Sequence, residues 1–314
     1  MSSAYDSGCS NSEPVAEPLR PKVTRTPSTT ERLHGFIAGV ASGITKLAVG
    51  HPFDTIKVRL QTEGGFGRFS GPFDCIRSTI RNEGVAALYK GATPPLVGWA
   101  VMDSVQLGTL SNIRLYLQNG DRKQKLSVFQ HGLAGIGAGL TVSFVATPVE
   151  LIKMKLQVQY ADKATRLYTG PIDCIKKIVH KHSIFGLWHG LLGTMVFRSF
   201  FWSMWGGYEL YSIQLRKFDL PASTINFVAG GLAASTFWIL AFPADVVKNR
   251  YMSQPDTQPL RYPNLRSVYK DIYRKEGVRS FFRGFLPAFI RAFPTNASAI
   301  LVFETAMRLM HEQV

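Results

Sequence analysis

Negative charge and cysteine are both scarce in this chain. Of its 314 residues only 21 are Asp or Glu, against 36 Lys or Arg, so the formal charge is +15. Charged residues of both signs make up 18%, below the roughly 25% of an ordinary soluble domain. Three cysteines (Cys9, Cys75, Cys174) are too few and too scattered for a disulfide framework or a zinc site. The sequence holds no nucleophile elbow, phosphate loop or metal-spaced cluster, so no cofactor or metal is expected and the chain is read as a non-enzyme. The composition also excludes collagen, a coiled coil and a wholly disordered chain. Hydrophobic residues (46%) and glycine (28 residues) are plentiful, yet the mean hydropathy is only +0.03. Two classes survive: a basic protein on nucleic acid, or a membrane protein whose helices line water on one side and touch lipid on the other.

Residues 1–32 are rich in Ser, Thr, Pro and Glu, lack apolar periodicity and are expected to be disordered. Asp6, Glu13, Glu17 and Glu31 offset Arg20, Lys22, Arg25 and Arg32, which makes the tail a poor cleavable presequence.

The remainder repeats three times. Pro52-Phe-Asp54-Thr-Ile-Lys57, Pro148-Val-Glu150-Leu-Ile-Lys153 and Pro243-Ala-Asp245-Val-Val-Lys248 are spaced 96 and 95 residues apart. Each is followed by a second match, running Glu83 to Lys90-Gly91, His182 to His189-Gly190 and Glu276 to Arg283-Gly284, with Tyr89, Trp188 and Phe282 before the basic residue. The repeats are set at 33–122, 123–217 and 218–314. In each, an apolar, Gly-rich helix precedes the proline, a short amphipathic helix follows, and a second apolar helix starts at the aromatic-basic-Gly triplet. The six long helices expected at 33–60, 91–117, 127–156, 190–215, 222–251 and 284–311 could each span a bilayer, which needs about 20 residues. Gly39 with Gly43, Gly135 with Gly139 and Gly231 with Ser235 have the small-residue spacing that lets helices approach in lipid.

In each Pro-x-acid-x-x-Lys segment the acid and lysine lie three residues apart, on one helix face, beside a residue that bends helices. Three isolated surface pairs would contribute little. Charge within a membrane is costly and is retained for function. Three such helices related by a pseudo-threefold axis can pair their charges in a ring that plugs one end of a central cavity.

This signature resembles that of the mitochondrial carrier family, over residues 33–311. The resemblance implies an all-α, six-helix barrel-like bundle with short matrix helices, acting as a monomer by alternating access in the inner mitochondrial membrane. It implies the ion pairs Asp54–Lys153, Glu150–Lys248 and Asp245–Lys57 as a matrix gate, braced by Gln61 and Gln157, with Met252 where a third glutamine would stand. It implies cardiolipin sites at the triplet glycines Gly91, Gly190 and Gly284 and at Phe69-Ser-Gly71 and Tyr168-Thr-Gly170, with a departure at Tyr262-Pro-Asn264. A cytoplasmic gate is implied on the even helices, where Ser111 would face Ser212, Glu209 would face Met307 and Glu304 would pair with Arg114. The three long loops carry 16 Lys or Arg against 5 in the two short ones, so the long loops are expected in the matrix and both termini in the intermembrane space.

The family's substrate contact points fall on Gly98 with Met102, on Arg198, and on Arg291 with Ala292. Mid-helix Arg291 is poorly placed to reach a headgroup and suits a substrate carboxylate. Ile290-Arg291-Ala-Phe-Pro-Thr-Asn-Ala297 and Gly50-His51-Pro52 resemble the carnitine/acylcarnitine and ornithine carrier branch, which implies a small, zwitterionic substrate. That branch often has an acid after the helix-four arginine, where this chain has Ser199. Lys46 and Asp103 are further intramembrane charges. Either they pair, which the cost of an unpaired lysine favours, or Asp103 replaces the missing partner for a substrate cation. Trp202, Trp205 and Trp238 are candidates for the cavity wall or for plain packing. His180, His182 and His189 are read as solvated. The competing functions are a carrier of another carboxylate or nucleotide-type solute and an uncoupling-type proton leak. A nucleic-acid partner is not expected.

Overall fold

A computed structural model describes residues 29–62, 69–121, 124–159, 167–218, 220–255 and 260–312. The tail expected to be disordered lies almost wholly outside the described residues. Its last residues, Thr29 to Arg32, are instead the first turn of a helix. Among the described residues there are ten α-helices and no strand. They are α1 (Thr29–Thr62), α2 (Pro72–Glu83), α3 (Thr93–Leu117), α4 (Val128–Gln157), α5 (Pro171–His182), α6 (Leu191–Ser199), α7 (Phe201–Leu215), α8 (Ala222–Ser253), α9 (Leu265–Glu276) and α10 (Phe285–Glu312). Each repeat thus holds a long helix, a short amphipathic helix and a second long helix. Going round the bundle, α10 packs along α1, α3 along α4, α4 against α6 and α7, and these against α8. Val128–Gln157, Ile184–Phe218 and Thr224–Ser253 are both long and apolar enough to cross a membrane. α1, α3 and α10 match them in length but carry the polar positions Lys46, Asp103 and Arg291.

The fourth long helix is not continuous. It breaks between α6 and α7 at Phe200, directly after Arg198-Ser199. Ser199 Oγ donates back to the Val196 carbonyl at 2.7 Å, and Ser203 Oγ to the Phe200 carbonyl at 2.7 Å. Such back-bonding competes with the helical ladder and bends helices.

The signature prolines sit inside α1, α4 and α8, and each helix runs on through its proline. Proline cannot donate to the carbonyl four residues earlier. In the first two repeats that carbonyl is satisfied by the aromatic residue of the triplet. Tyr89 Oη donates to the Ala48 carbonyl at 3.1 Å, and Trp188 Nε1 to the Phe144 carbonyl at 2.9 Å. The two distant motifs are therefore one unit: the first removes a donor and the second returns it. In repeat three the aromatic is Phe282, which has no donor and stacks on Phe242, with centroids 6.4 Å apart.

The triplet glycines have a packing role of their own. Gly91, Gly190 and Gly284 adopt φ of 75°, 97° and 80°, a left-handed conformation that glycine tolerates best. A Cβ on Gly91 would lie 2.9 Å from the Lys153 carbonyl oxygen, and one on Gly284 3.0 Å from that of Lys57. Each thus rests against the end of the next long odd helix. Of the small-residue pairs, the α4 pair makes the close approach: a Cβ on Gly139 would fall 2.4 Å from the Arg198 carbonyl oxygen, and one on Gly135 2.8 Å from that of Phe201. Gly39, Gly43 and Gly231 face nothing within 4 Å, so the α1 and α8 stripes are not helix contacts here.

The exchange of donors makes a checkable statement. Trp188→Phe should cost about 1 kcal/mol by orphaning the Phe144 carbonyl. Phe282→Tyr should leave stability unchanged or raise it by offering the Ile239 carbonyl a donor. Melting of the two purified variants in detergent checks both, and a Trp188→Phe variant as stable as wild type would contradict the pairing.

Candidate functional site

α1, α4 and α8 converge just beyond their prolines, and the repeated acids and lysines meet there from helix to helix. Lys153 Nζ donates to Asp54 at 2.6 Å, Lys248 Nζ to Glu150 at 2.9 Å, and Lys57 Nζ lies 2.7 Å from Asp245. These are the three pairs that the family pattern implies. The two even-helix arginines join the same ring. Arg198 donates to the other oxygen of Glu150 at 2.8 Å, and Arg291 to the other oxygen of Asp54. Five cations thus face three carboxylates, leaving two positive charges in excess. Lys57 and Lys248 also stand over the rings of Trp238 (4.8 Å) and Phe197 (4.4 Å), which favours a cation out of bulk water.

The glutamine braces differ. Gln61 donates to Asp245 at 3.0 Å. Gln157 instead donates to Thr55 at 3.1 Å and lies 3.4 Å from His51 Nε2. On Asp54, Lys153 holds one oxygen and Arg291 the other. Asn249 escaped the sequence reading. It donates to Gln61 at 2.6 Å and to Asp245 at 3.1 Å. Its signal was present: the matching positions in repeats one and two are Val58 and Met154, so an amide there is out of pattern.

The ring floors a cavity of about 320 Å³ whose wall includes Trp99, Met102, Asp103 and Trp238. Gly98 faces elsewhere: a Cβ there would lie 2.8 Å from Val149, so it is a contact between α3 and α4. Trp99, one residue on, takes the place on the wall expected of Gly98. The side chain of Ala292 lies outside the described residues. Lys46 and Asp103 do not pair; both are exposed, and among the described residues neither makes an ion pair or hydrogen bond. They face a cleft of about 790 Å³ between α1 and α3 that Arg291 also lines. α1 and α3 touch little, which keeps the two charges apart. Trp202 is exposed, and Trp205 lies under Arg114, 4.9 Å from the guanidinium carbon.

The other end of the bundle is built differently. Arg114 rests on Trp205, Glu209 has His131 Nε2 at 3.9 Å, and Glu304 is exposed. Among the described residues no ion pair joins Glu304 to Arg114. Among the described residues a ring of charge pairs thus closes the cavity on the long-loop side, and nothing matching that ring stands at the other end.

Beyond the ring, on the long-loop side, lies a second layer of charge. Fully buried Arg59 donates to Glu83 at 2.5 and 3.1 Å, and Lys90 pairs with the same carboxylate. Arg250 pairs likewise with Glu276 at 2.5 Å, with Arg283 at 3.6 Å. Burial alone would raise the Glu83 carboxyl, but the hydrogen bonds from Arg59 and Lys90 hold it below the ordinary carboxylate range. The basic residues two past the signature lysines were not singled out in the sequence. Of the helix N-termini beside this layer, those of α2 and α5 start at Gly71 and Gly170, which face nothing within 4 Å. In repeat three Asn264 caps its own helix, accepting from Ser267 N–H at 2.9 Å.

The chain matches the model of a family described as "Mitochondrial carrier protein" three times, over residues 28–121, 124–218 and 221–314. It is 42% identical to mitochondrial substrate carrier family protein L of Dictyostelium discoideum, over 89% of this chain and 96% of that one. It is 36% identical to protein dif-1 of Caenorhabditis elegans, over 88% and 91%. It is 34% identical to the human mitochondrial carnitine/acylcarnitine carrier protein, over 91% and 97%.

The Glu83 cluster is open to direct test. Glu83→Gln removes the carboxylate from buried Arg59 and should cost about 3 kcal/mol. Because the folded carboxyl titrates low, its stabilisation is complete above the unfolded carboxyl's value, about 4.3. It fades as pH falls through the depressed folded value. Melting curves against pH should show an acid-side loss in wild type that is smaller in Glu83→Gln.

Proposed function

We propose a substrate class for this chain, which belongs to the mitochondrial carrier family: it exchanges a small, carboxylate-bearing zwitterion of the carnitine, acylcarnitine or basic amino acid type. As a family member it is a transporter of the inner mitochondrial membrane and not an enzyme. One observation carries the substrate reading. Arg198 and Arg291 are each held by an acid of the ring, while Asp103 stands on the cavity wall without an ion-pair partner. A substrate carboxylate can take Arg291 from Asp54, exchanging one charge-assisted bond for another at little net cost. The substrate's cation then meets Asp103, which does the work of the acid that Ser199 does not supply. The 34% identity to the human carnitine/acylcarnitine carrier supports the same class.

In this reading the substrate carboxylate takes Arg291 from Asp54 and so unties α10 from the ring on α1, which couples substrate binding to gate opening. Asp54, Lys57, Glu150, Lys153, Asp245 and Lys248 form the matrix gate, Gln61 with Asn249 its brace, and Arg114, Glu209 and Glu304 what there is of a cytoplasmic gate. The long loops and the glycine-capped starts of α2 and α5 face the matrix leaflet, where helix N-termini suit the phosphates of cardiolipin. Both termini then face the intermembrane space.

Arg291→Ala should abolish exchange in proteoliposomes while leaving the protein folded, a loss of about 2–4 kcal/mol in binding, and Arg291→Lys should restore little. Asp103→Ala should stop uptake of carnitine and ornithine, and adding Lys46→Ala should not rescue it. Unimpaired uptake in Arg291→Ala, or proton leak as the only activity of wild type, would overturn the assignment.

The two gates also differ in strength. One available pair against three, at about 0.5–1 kcal/mol each, favours a closed matrix side by about 1–2 kcal/mol, or five- to thirty-fold. Cysteines placed on the cavity wall should label from the intermembrane-space side when substrate is absent, and preferential labelling from the matrix side would contradict this.

A further inference from the structure

Among the described residues, four aromatic side chains line the central cavity: Trp99, Phe197, Phe201 and Trp238. Three of them already carry a cation of the chain itself. Lys248 stands over Phe197 at 4.4 Å, Arg198 over Phe201 at 5.8 Å and Lys57 over Trp238 at 4.8 Å. The acids of the cavity divide in the same way. Asp54, Glu150 and Asp245 are each held by lysines of the ring. Trp99 and Asp103 remain. Among the described residues neither meets a cation and neither makes a side-chain hydrogen bond.

These two uncommitted side chains stand together. They are four residues apart on α3, so they share one helix face. Both line the cavity and also the cleft between α1 and α3, as Arg291 does. A ligand whose carboxylate is held by Arg291 therefore has Trp99 and Asp103 on the walls around its other end. Those walls are poor in hydrogen-bond acceptors. Buried Met102 is apolar, and so are Leu96 and Ala100 on the cleft side. Ser42 gives its hydroxyl hydrogen to the Ala299 carbonyl at 2.8 Å. Gln106, three residues past Asp103, adds one amide. Lys46 lines the cleft and not the cavity, so it repels a cation that moves outward from Trp99.

We infer that Trp99, with Asp103, selects a quaternary ammonium group. The inference rests on the zwitterion reading of the proposed function and narrows it to the carnitine type over the basic amino acids. Ring faces and carboxylates attract any cation, and indole is the best of the rings. What separates the two classes is hydrogen bonding. A primary ammonium brings three N–H donors, and a donor taken out of water without an acceptor is costly. Asp103 and Gln106 offer few acceptors, and Trp99 and Met102 offer no strong one. A trimethylammonium group has no donor to satisfy. Its methyl groups pack on the indole and on Met102, while Asp103 balances the charge. Trp99 is thus a specificity-determining residue, separate from Arg291, which holds the carboxylate end.

The test compares two substrates that differ only in the cation: carnitine and its unmethylated primary amine. Uptake of each by the full-length carrier in proteoliposomes gives a KM and a maximal rate. In wild type the KM for carnitine should be at least about tenfold lower, the size of a desolvated ring–cation contact. Trp99→Leu keeps an apolar side chain and removes the ring. It should raise the KM for carnitine about tenfold, leave that for the amine nearly unchanged and alter neither maximal rate. Trp99→Phe should keep most of the preference. Should Trp99→Leu fail to fold, the singly and doubly methylated amines give the same reading on wild type, with KM expected to fall at each added methyl. Three results overturn the inference and leave the zwitterion reading standing: a wild-type preference for the primary amine, unchanged selectivity in Trp99→Leu, or an equal shift for both substrates. A wild type that takes up neither compound overturns both.

Discussion

Placing charge where water is scarce is tolerable only if each charge finds a partner, and this constraint organises the bundle. Asp54, Glu150 and Asp245 are held in a ring by three lysines and two arginines. No single helix can satisfy them, because in each pair the lysine comes from the next repeat. The ring therefore fixes which helices converge, closes one end of the cavity, and leaves the two arginines at its floor. Removing one partner costs more than the pair contributes, so the ring opens readily only when another ion takes the place being vacated. In the proposed function a substrate carboxylate is such an ion.

The shape of the bundle depends on a second exchange of partners. Each proline frees a carbonyl, and in repeats one and two the aromatic of the downstream triplet donates to it. The glycine two residues later lets the chain turn against the next odd helix. Residues about 40 apart in sequence thus act as one joint, and the joint couples each repeat to its neighbour. Repeat three does without the donor and relies on stacked rings. The threefold symmetry is one of backbone more than of chemistry, and at Phe282, Asn264 and Asn249 the repeats differ in how they are packed, capped or braced.

Much of this was legible in the sequence because repeats carry their own comparison. The spacing of Pro52, Pro148 and Pro243 placed the long helices, and the three ion pairs followed from the family pattern. Other positions were misread for definable reasons. Gln157 was expected to brace Asp54, but its amide is turned to Thr55 and His51 instead. Gly98 was placed on the cavity wall, but Val149 packs over it. Pairing of Lys46 with Asp103 was favoured over a substrate role for Asp103 because an unpaired lysine is costly, yet α1 and α3 touch little and the two charges stay apart. Asn249 was overlooked although it broke the apolar pattern of its two counterparts.

The sequence by itself determined the periodic features: six long helices, three short ones, the repeated acids, bases, prolines and glycines, and the excess of positive charge. These are local or repeat, and a chain of helices states them residue by residue. Only the tertiary structure decided which acid each arginine holds, that the fourth helix breaks at Phe200, and that Trp99 and Asp103 share a wall of the cavity. Those outcomes depend on competition among several donors for the same few oxygens and on distances between helices, and neither quantity is written in the spacing of residues along one helix.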